Sequence, residues 1–296
     1  MLAVERKRGL VIKALGGFFF VATEEDTYRC VVRGTLKKKE EILVGEKVIF
    51  TQQGPSQGII DGIEPRSSRL VRPLIANVDQ AVVVLAVANP APNYMLIDRI
   101  LVQAEAAGLE IVICLNKCDS LERAGQAEEM LEPYRLASYR AYAVSSKTKD
   151  NVDVVRAQLT SSVSVLAGQS GVGKSSLLNA LQPGLKLVTG EVSERTKHGR
   201  HTTRQVELLP LEQGGWVADT PGFSTLGLPE VEPDELVYLF PELGAAAPKC
   251  RFPGCRHQSE ADCAVRAAVA SGQALPVRYE SYLAMARELR ELRRKW

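Results

Sequence analysis

The sequence predicts a multidomain chain with three parts: a small all-β N-terminal domain, a central α/β domain on a parallel sheet, and a helical C-terminal module around a metal site. Three observations carry this. Short β-rich runs separated by glycines and charged turns fill residues 1 to about 65. From residue 78, apolar runs of strand length alternate with helical periods. Three of the six cysteines gather beside a histidine near the C-terminus.

The bulk numbers set bounds. A chain of 296 residues can bury at least one sizeable core, and 45% apolar with 24% charged residues is ordinary globular composition. No apolar run approaches the roughly 18 residues of a membrane span, so no membrane partner is expected. The net charge of +2 argues against nucleic-acid binding by bulk charge. That total hides an uneven distribution. Residues 1–72 hold 13 basic and 9 acidic residues (+4), 73–230 hold 14 and 17 (−3), and 231–296 hold 10 and 9 (+1). Six cysteines are too few for a disulfide scaffold and point to a reducing, cytoplasmic setting. Glu5-Arg6-Lys7-Arg8 before Leu10 imitates a secretory signal, but Lys13 and Gly16-Gly17 break the apolar stretch, so a first strand is expected there.

The elements follow in order. Leu10-Val11-Ile12, Phe18 to Val21, Tyr28 to Val32, Lys47 to Phe50 and Ile59-Ile60 form five short strands. They suit a barrel of the OB type, although other small barrels share the pattern. Glu64 to Arg69 reads as a linker. Ala81 to Ala88 is a strand buried on both faces. Asn93 caps a helix that presents Leu96, Ile97, Ile100, Leu101 and Ala104 on one face, and Gly108 ends it. Next come strand Ile111 to Leu115, a helix around 122–132, strand Ala141 to Val144, a helix around 151–159 and strand Val163 to Ala167. Residues 183–203 are polar and aperiodic, the mark of a functional loop. Strands Gln205 to Leu209 and Trp216 to Ala218 follow, and the chain turns helical after about 231.

The motifs supply the chemistry. Gly168-Gln169-Ser170-Gly171-Val172-Gly173-Lys174-Ser175 is a complete GxxxxGK[ST] phosphate loop between a strand and the helical run Ser176 to Leu181. Its glycines let backbone N–H groups wrap phosphates, Lys174 reaches the β- and γ-phosphates, and Ser175 binds Mg²⁺. Asn116-Lys117-Cys118-Asp119 is an NKxD motif at a strand end. Its carboxylate accepts from guanine's ring N–H and exocyclic amine, a donor pair that adenine lacks, so the nucleotide is GTP or GDP. Ser145-Ser146-Lys147 lies where a supporting base loop belongs, or is a plain turn. Asp219-Thr220-Pro221-Gly222 follows a strand. Asp219 there reaches Mg²⁺ through water, and the Gly222 N–H senses the γ-phosphate. Thr202 or Thr203 completes the Mg²⁺ shell, with Thr203 favoured because it directly precedes a strand.

The order of these parts is itself a signal. Ordinary regulatory GTPases run phosphate loop, Thr switch, DxxG, NKxD and base loop. Here NKxD and Ser-Ser-Lys come first, so the central domain is a circularly permuted P-loop GTPase domain, and its DTPG switch leads into the C-terminal segment. That segment carries Cys250, Cys255, His257 and Cys263, spaced C-x4-C-x-H-x5-C. Three thiolates and an imidazole form a closed tetrahedral set, the structural kind of zinc site, one per chain. Cys30, Cys114 and Cys118 stand apart as reduced, non-ligating residues.

Together these features resemble the RsgA (YjeQ) family of bacterial ribosome small-subunit-dependent GTPases, over essentially the whole chain. Gly199-Arg200-His201-Thr202-Thr203 is similar to the family's switch signature, with Arg204 where a third Thr is common. The resemblance implies an OB-like RNA-binding barrel (1–72), a permuted GTPase domain (73–230) and a zinc-binding helical domain (231–296). It also implies a monomer acting in late maturation of the small ribosomal subunit, in contact with its rRNA and stimulated by it. The alternative is a GTP-controlled protein-interaction switch without RNA.

Two further expectations come from the residues. Phe223 stands where many GTPases place a water-orienting Gln, so another group must serve, and His201 beside the switch threonines is the candidate. Its competing reading is RNA contact or none. Lys37 to Lys39 and the terminal Arg287, Arg290, Arg293, Arg294 and Lys295 are candidate phosphate contacts. They serve equally well as solvated turn and helix-end charge.

Overall fold

A computed structural model describes residues 6–34, 41–71, 73–185, 206–219 and 227–294. The lysine run 37–39, Lys295, His201, Thr202, Thr203, Gly222 and Phe223 lie outside these. The chain divides into two compact units. The first comprises residues 1–80, 159–166 and 194–223, and the second 81–158, 167–193 and 224–296.

In the first unit, β1 (Arg6–Leu15), β2 (Phe18–Ala22), β3 (Thr27–Val32), β4 (Lys47–Gly54) and β5 (Gln57–Ile63) form the expected five strands. They run in the order β1-β2-β3-β5-β4, and β1 also pairs with β4, which closes the barrel. Strand alternation sends Val11, Val21, Tyr28, Cys30, Val48, Phe50 and Ile60 inward to one apolar core. β1 has 10 residues and shifts register between Val11 and Lys13, so it also reaches β12 (Glu207–Pro210), with Lys13 opposite Glu207. β12 is antiparallel to β13 (Trp216–Asp219), which runs parallel to β11 (Val163–Ala167).

The stretch Glu64 to Arg69 is not a linker. Arg66 Nε donates to the buried Glu46 at 2.6 Å, and the Ser67 N–H donates to Asn77 Oδ1 at 2.8 Å. Ser68 Oγ donates to the Val78 carbonyl at 2.7 Å. Arg69 opens β6 (Arg69–Val71), which pairs with β7 (Leu74–Ala76). Serine and proline composition suggested loose chain, but the polar side chains here are spent on fixed partners.

In the second unit the strand order is β10-β9-β8, from Arg140–Ala143, Glu110–Asn116 and Gln80–Ala86 respectively, with β10 and β9 parallel. Asn93 caps α1 (Tyr94–Ala106) through Oδ1, which accepts the Leu96 N–H at 3.0 Å. Gly108 has φ +67° just past the helix end. Helix α2 covers Gln126–Leu136 rather than 122–132, because Gly125 at φ +80° makes a turn immediately before it. Helices α3 (Val152–Leu159) and α4 (Lys174–Leu181) follow as expected.

The C-terminal segment forms α5 (Pro241–Gly244), α6 (Ala264–Ala270) and α7 (Pro276–Arg293). Its core joins Val102 of α1 to Leu236, Phe240, Leu243, Val265, Tyr282 and Met285. A charged cluster lies within it. Arg278 of α7 donates to Asp98 of α1 at 2.5 Å and to Glu242 of α5 at 2.7 and 3.1 Å. The guanidinium also stacks 5.0 Å from the Phe240 ring. Burial opposes the charge on Arg278, but the two carboxylates more than offset it, so it stays protonated. No described helix is long and apolar enough to cross a membrane.

Candidate nucleotide site and metal centre

The loop from Gly168 to Gly173 joins β11 to α4, and at Gly168 and Gly173 its backbone is one that only glycine tolerates. Gly168 has φ +138°, and a Cβ there would stand 2.1 Å from the Val84 carbonyl oxygen. Gly173 has φ +94°, and a Cβ there would stand 2.5 Å from Asn116 Nδ2. A loop that can fold this closely at a helix start lets successive N–H groups form an anion-binding hollow. Gln169, Ser170 and Gly171 line the loop, while Val172 turns inward and is buried. Lys174 opens α4, and its Nζ donates to the Gly168 and Gln169 carbonyls at 2.8 and 2.9 Å. Burial pulls its pKa below the usual lysine range, so an anion at the loop would favour its charged form. Ser175 lies exposed in the first turn, followed by the half-buried Ser176.

The NKxD residues stand beside this loop. Asn116 ends β9 fully buried, with both ends of its amide engaged. Nδ2 donates to the Val172 carbonyl at 3.0 Å, and Oδ1 accepts the Ser146 N–H at 3.0 Å. One side chain thus ties the phosphate loop to the Ser-Ser-Lys loop. Lys117, at φ +65°, donates to the Gly171 carbonyl at 2.8 Å and to the Asn89 carbonyl.

Asp119 Oδ1 accepts from Ser145 Oγ at 2.7 Å, and Lys147 Nζ lies 3.5 Å from Oδ2. The Ser145 hydrogen bond above all, helped by the Lys147 contact and against the opposing effect of desolvation, holds the Asp119 carboxyl below the usual carboxylate range. The group is therefore an ionised acceptor at neutral pH. Ser145, Ser146 and Lys147 accordingly lie on the NKxD motif rather than forming an unrelated turn. Asp219 closes β13, while Thr202, Thr203, His201 and Gly222 lie outside the described residues.

Sequence reading missed the Asn89 carbonyl. The signal available was an Asn-Pro pair directly after a buried strand, which marks a sharp turn.

Cys250, Cys255, His257 and Cys263 come together, with ligating atoms all within 4.8 Å of one another. His257 Nδ1 lies 3.5 Å from both Cys250 Sγ and Cys263 Sγ, which are 3.9 Å apart. A tetrahedral ion with Zn–S near ~2.3 Å and Zn–N near ~2.0 Å requires separations of about 3.5 and 3.8 Å. The donor set fits zinc by chemistry, and Cys250, His257 and Cys263 fit it by spacing as well. Cys30, Cys114 and Cys118 are free and take no part.

Comparison with known proteins agrees with this layout. The RsgA GTPase family model matches residues 63–229, and the RsgA N-terminal domain model matches 8–60. A Carboxydothermus hydrogenoformans protein named small ribosomal subunit biogenesis GTPase RsgA is 45% identical over 283 residues, covering 95% of this chain and 97% of its own. The crystal structure of YjeQ from Thermotoga maritima superposes with a TM-score of 0.85 at 36% identity, covering 96% of this chain and 99% of that one. That of YloQ, described as a circularly permuted GTPase, gives 0.82 at 36% identity, covering 97% and 96%. A five-stranded barrel, a phosphate loop that follows its NKxD motif in the chain, a Cys₃His cluster and matches over nearly the full length lead to one conclusion: the chain belongs to the RsgA GTPase family.

Proposed function

We propose that the protein binds the small ribosomal subunit, acts in its late maturation in the cytoplasm, and hydrolyses GTP to GDP and phosphate with stimulation by that subunit. The observation that carries the nucleotide reading is the ionised Asp119, held by Ser145 and Lys147 on a frame that Asn116 bolts to a phosphate loop whose Gly168 and Gly173 admit no side chain. The names of the relatives support the ribosomal partner.

Each residue has a role in this reading. Asp119 accepts from guanine N1–H and the exocyclic amine, while Lys117 braces the loops on either side. The N–H groups of 168–175 wrap the phosphates, and Lys174 carries the charge of the β- and γ-phosphoryl oxygens. Ser175, Thr203 or Thr202, and Asp219 supply hydroxyl and carboxylate oxygens, the hard ligands Mg²⁺ prefers. An Mg²⁺ ion held by these residues would supply positive charge to offset that of the phosphates. Gly222 donates to the γ-phosphate, and His201 orients the attacking water once the ribosome is bound. Zinc at the Cys₃His set holds the C-terminal module together.

The barrel supplies the RNA surface. Beyond the +4 charge of residues 1–72, the exposed Phe18 ring lies 4.5 Å from the Arg29 guanidinium. An aromatic face beside a cation is what unpaired bases stack on.

The test is GTP turnover with and without purified small subunits, at two salt concentrations. Stimulation that falls steeply with salt is expected. Unstimulated turnover removes the ribosomal partner and leaves the GTPase standing. In the same assay His201→Ala is expected to lose about 10²-fold or more of stimulated turnover with subunit binding intact, in the range of a general base or water-positioning group. Unchanged turnover rejects that role.

A further inference from the structure

The loop that carries His257 is held from two sides by residues that are not ligands. His257 has φ +59° and Asp262 φ +55°, both left-handed positions unfavourable for side-chain-bearing residues. A turn of this kind persists only where its surroundings over-determine it.

Glu260 supplies one restraint. Its Oε1 accepts the Arg256 N–H at 2.8 Å, and its Oε2 accepts the N–H groups of Gln258 and Ser259 at 2.8 and 3.0 Å. One carboxylate therefore brackets His257, gripping the amides immediately before and after it. Desolvation acts against the ionised carboxyl, but these amides and Glu260's own N–H outweigh it and bring its pKa to about 2. The second restraint comes from α7, where Tyr279 Oη donates to the His257 carbonyl at 2.5 Å. The outcome is a buried imidazole whose Nδ1 faces two thiols at equal distance.

We propose that Glu260 is a positioning residue for the metal: by gripping the amides on both sides of His257 it presets Nδ1 toward Cys250 and Cys263 before an ion arrives, with Tyr279 steadying the opposite edge of the turn. The inference rests on reading the Cys₃His set as a zinc site. The physical ground is that ligands already in place lose little freedom when the ion binds. Groups that orient a ligand from outside the coordination shell commonly change metal affinity about 10–100-fold.

The experiment uses the full-length chain as wild type, Glu260→Ala, Glu260→Gln, Tyr279→Phe and Cys263→Ser. Zinc affinity is read by chelator competition, and coordination by the visible spectrum of the cobalt(II)-substituted protein. Wild type is expected to bind one ion with a tetrahedral thiolate spectrum, and Cys263→Ser to lose that spectrum. Glu260→Ala is expected to bind zinc about 10–100-fold more weakly, yet to show the wild-type cobalt spectrum at saturation, because all four ligands remain. Glu260→Gln keeps one acceptor oxygen and is expected to recover part of the affinity. Tyr279→Phe is expected to show a smaller loss. Glu260→Ala and Glu260→Gln both within twofold of wild type overturn the proposal with the zinc site intact. A wild-type chain that binds neither ion overturns the zinc reading itself. Should Glu260→Ala fail to fold, the Glu260→Gln and Tyr279→Phe affinities decide the matter.

Discussion

Arg278→Met is expected to destabilise the protein by about 3–5 kcal/mol. Asp98 and Arg278 are each 1% exposed, and the Glu242 side chain is equally shielded. Removing the one cation leaves two buried carboxylates facing each other with nothing to neutralise them. Asp98→Ala is the informative contrast. It leaves Arg278 paired with Glu242 at one positive to one negative charge, so its loss is expected to be smaller. Equal losses for the two variants in urea unfolding contradict this account.

The pH dependence has a definite sign. Burial already raises the Asp98 carboxyl in the wild type, and removing Arg278 takes away the main opposition and leaves the Ser281 hydrogen bond to resist a larger shift. A carboxyl whose folded pKa lies above its unfolded value favours folding when protonated, and that contribution is lost as pH rises through the folded value. The Arg278→Met deficit is therefore expected to shrink as the pH is lowered from 7.5 to 5, because the variant, whose Asp98 is shifted further, gains more from protonation than wild type does.

Asp119→Asn is expected to weaken GTP and GDP binding by about 10²–10³-fold and to reverse the base preference. The carboxylate offers two acceptor oxygens to two guanine donors. The amide keeps one acceptor and turns a donor toward the other, and charge-assisted hydrogen bonds are worth about 1.5–3 kcal/mol each. Xanthine carries a carbonyl where guanine has its exocyclic amine, so the same substitution is expected to improve xanthine nucleotide binding. Competition between GDP and the xanthosine analogue reads both effects. Uniform weakening for both bases argues that Asp119 serves only the frame it shares with Ser145 and Lys147.

What could be read beforehand depended on how local the physics is. The phosphate loop, the NKxD motif and the Cys₃His spacing are legible because a few consecutive residues determine the backbone and supply the donors. The five barrel strands are legible because alternation over four to six residues already sorts inside from outside. Asp98 shows the opposite case. It sits among Ile97, Ile100 and Leu101, where a carboxylate on an apolar helix face marks a missing partner. Nothing nearby names that partner, because Arg278 lies 180 residues away. The β6–β7 pair escaped for a related reason. Ser67 and Ser68 find their acceptors 10 residues on, and without those acceptors the stretch reads as loose chain.

The length of β1 carries one more consequence. Its far end, at Lys13, is the neighbour of β12. A chain shortened to begin at residue 73, as a designer might cut it from the domain boundaries in the sequence, strips β12 of that neighbour and leaves its backbone donors and acceptors open. Bare strand edges recruit other chains. The barrel is in this respect not a detachable accessory, and a truncated enzyme is expected to self-associate more strongly than the full-length protein.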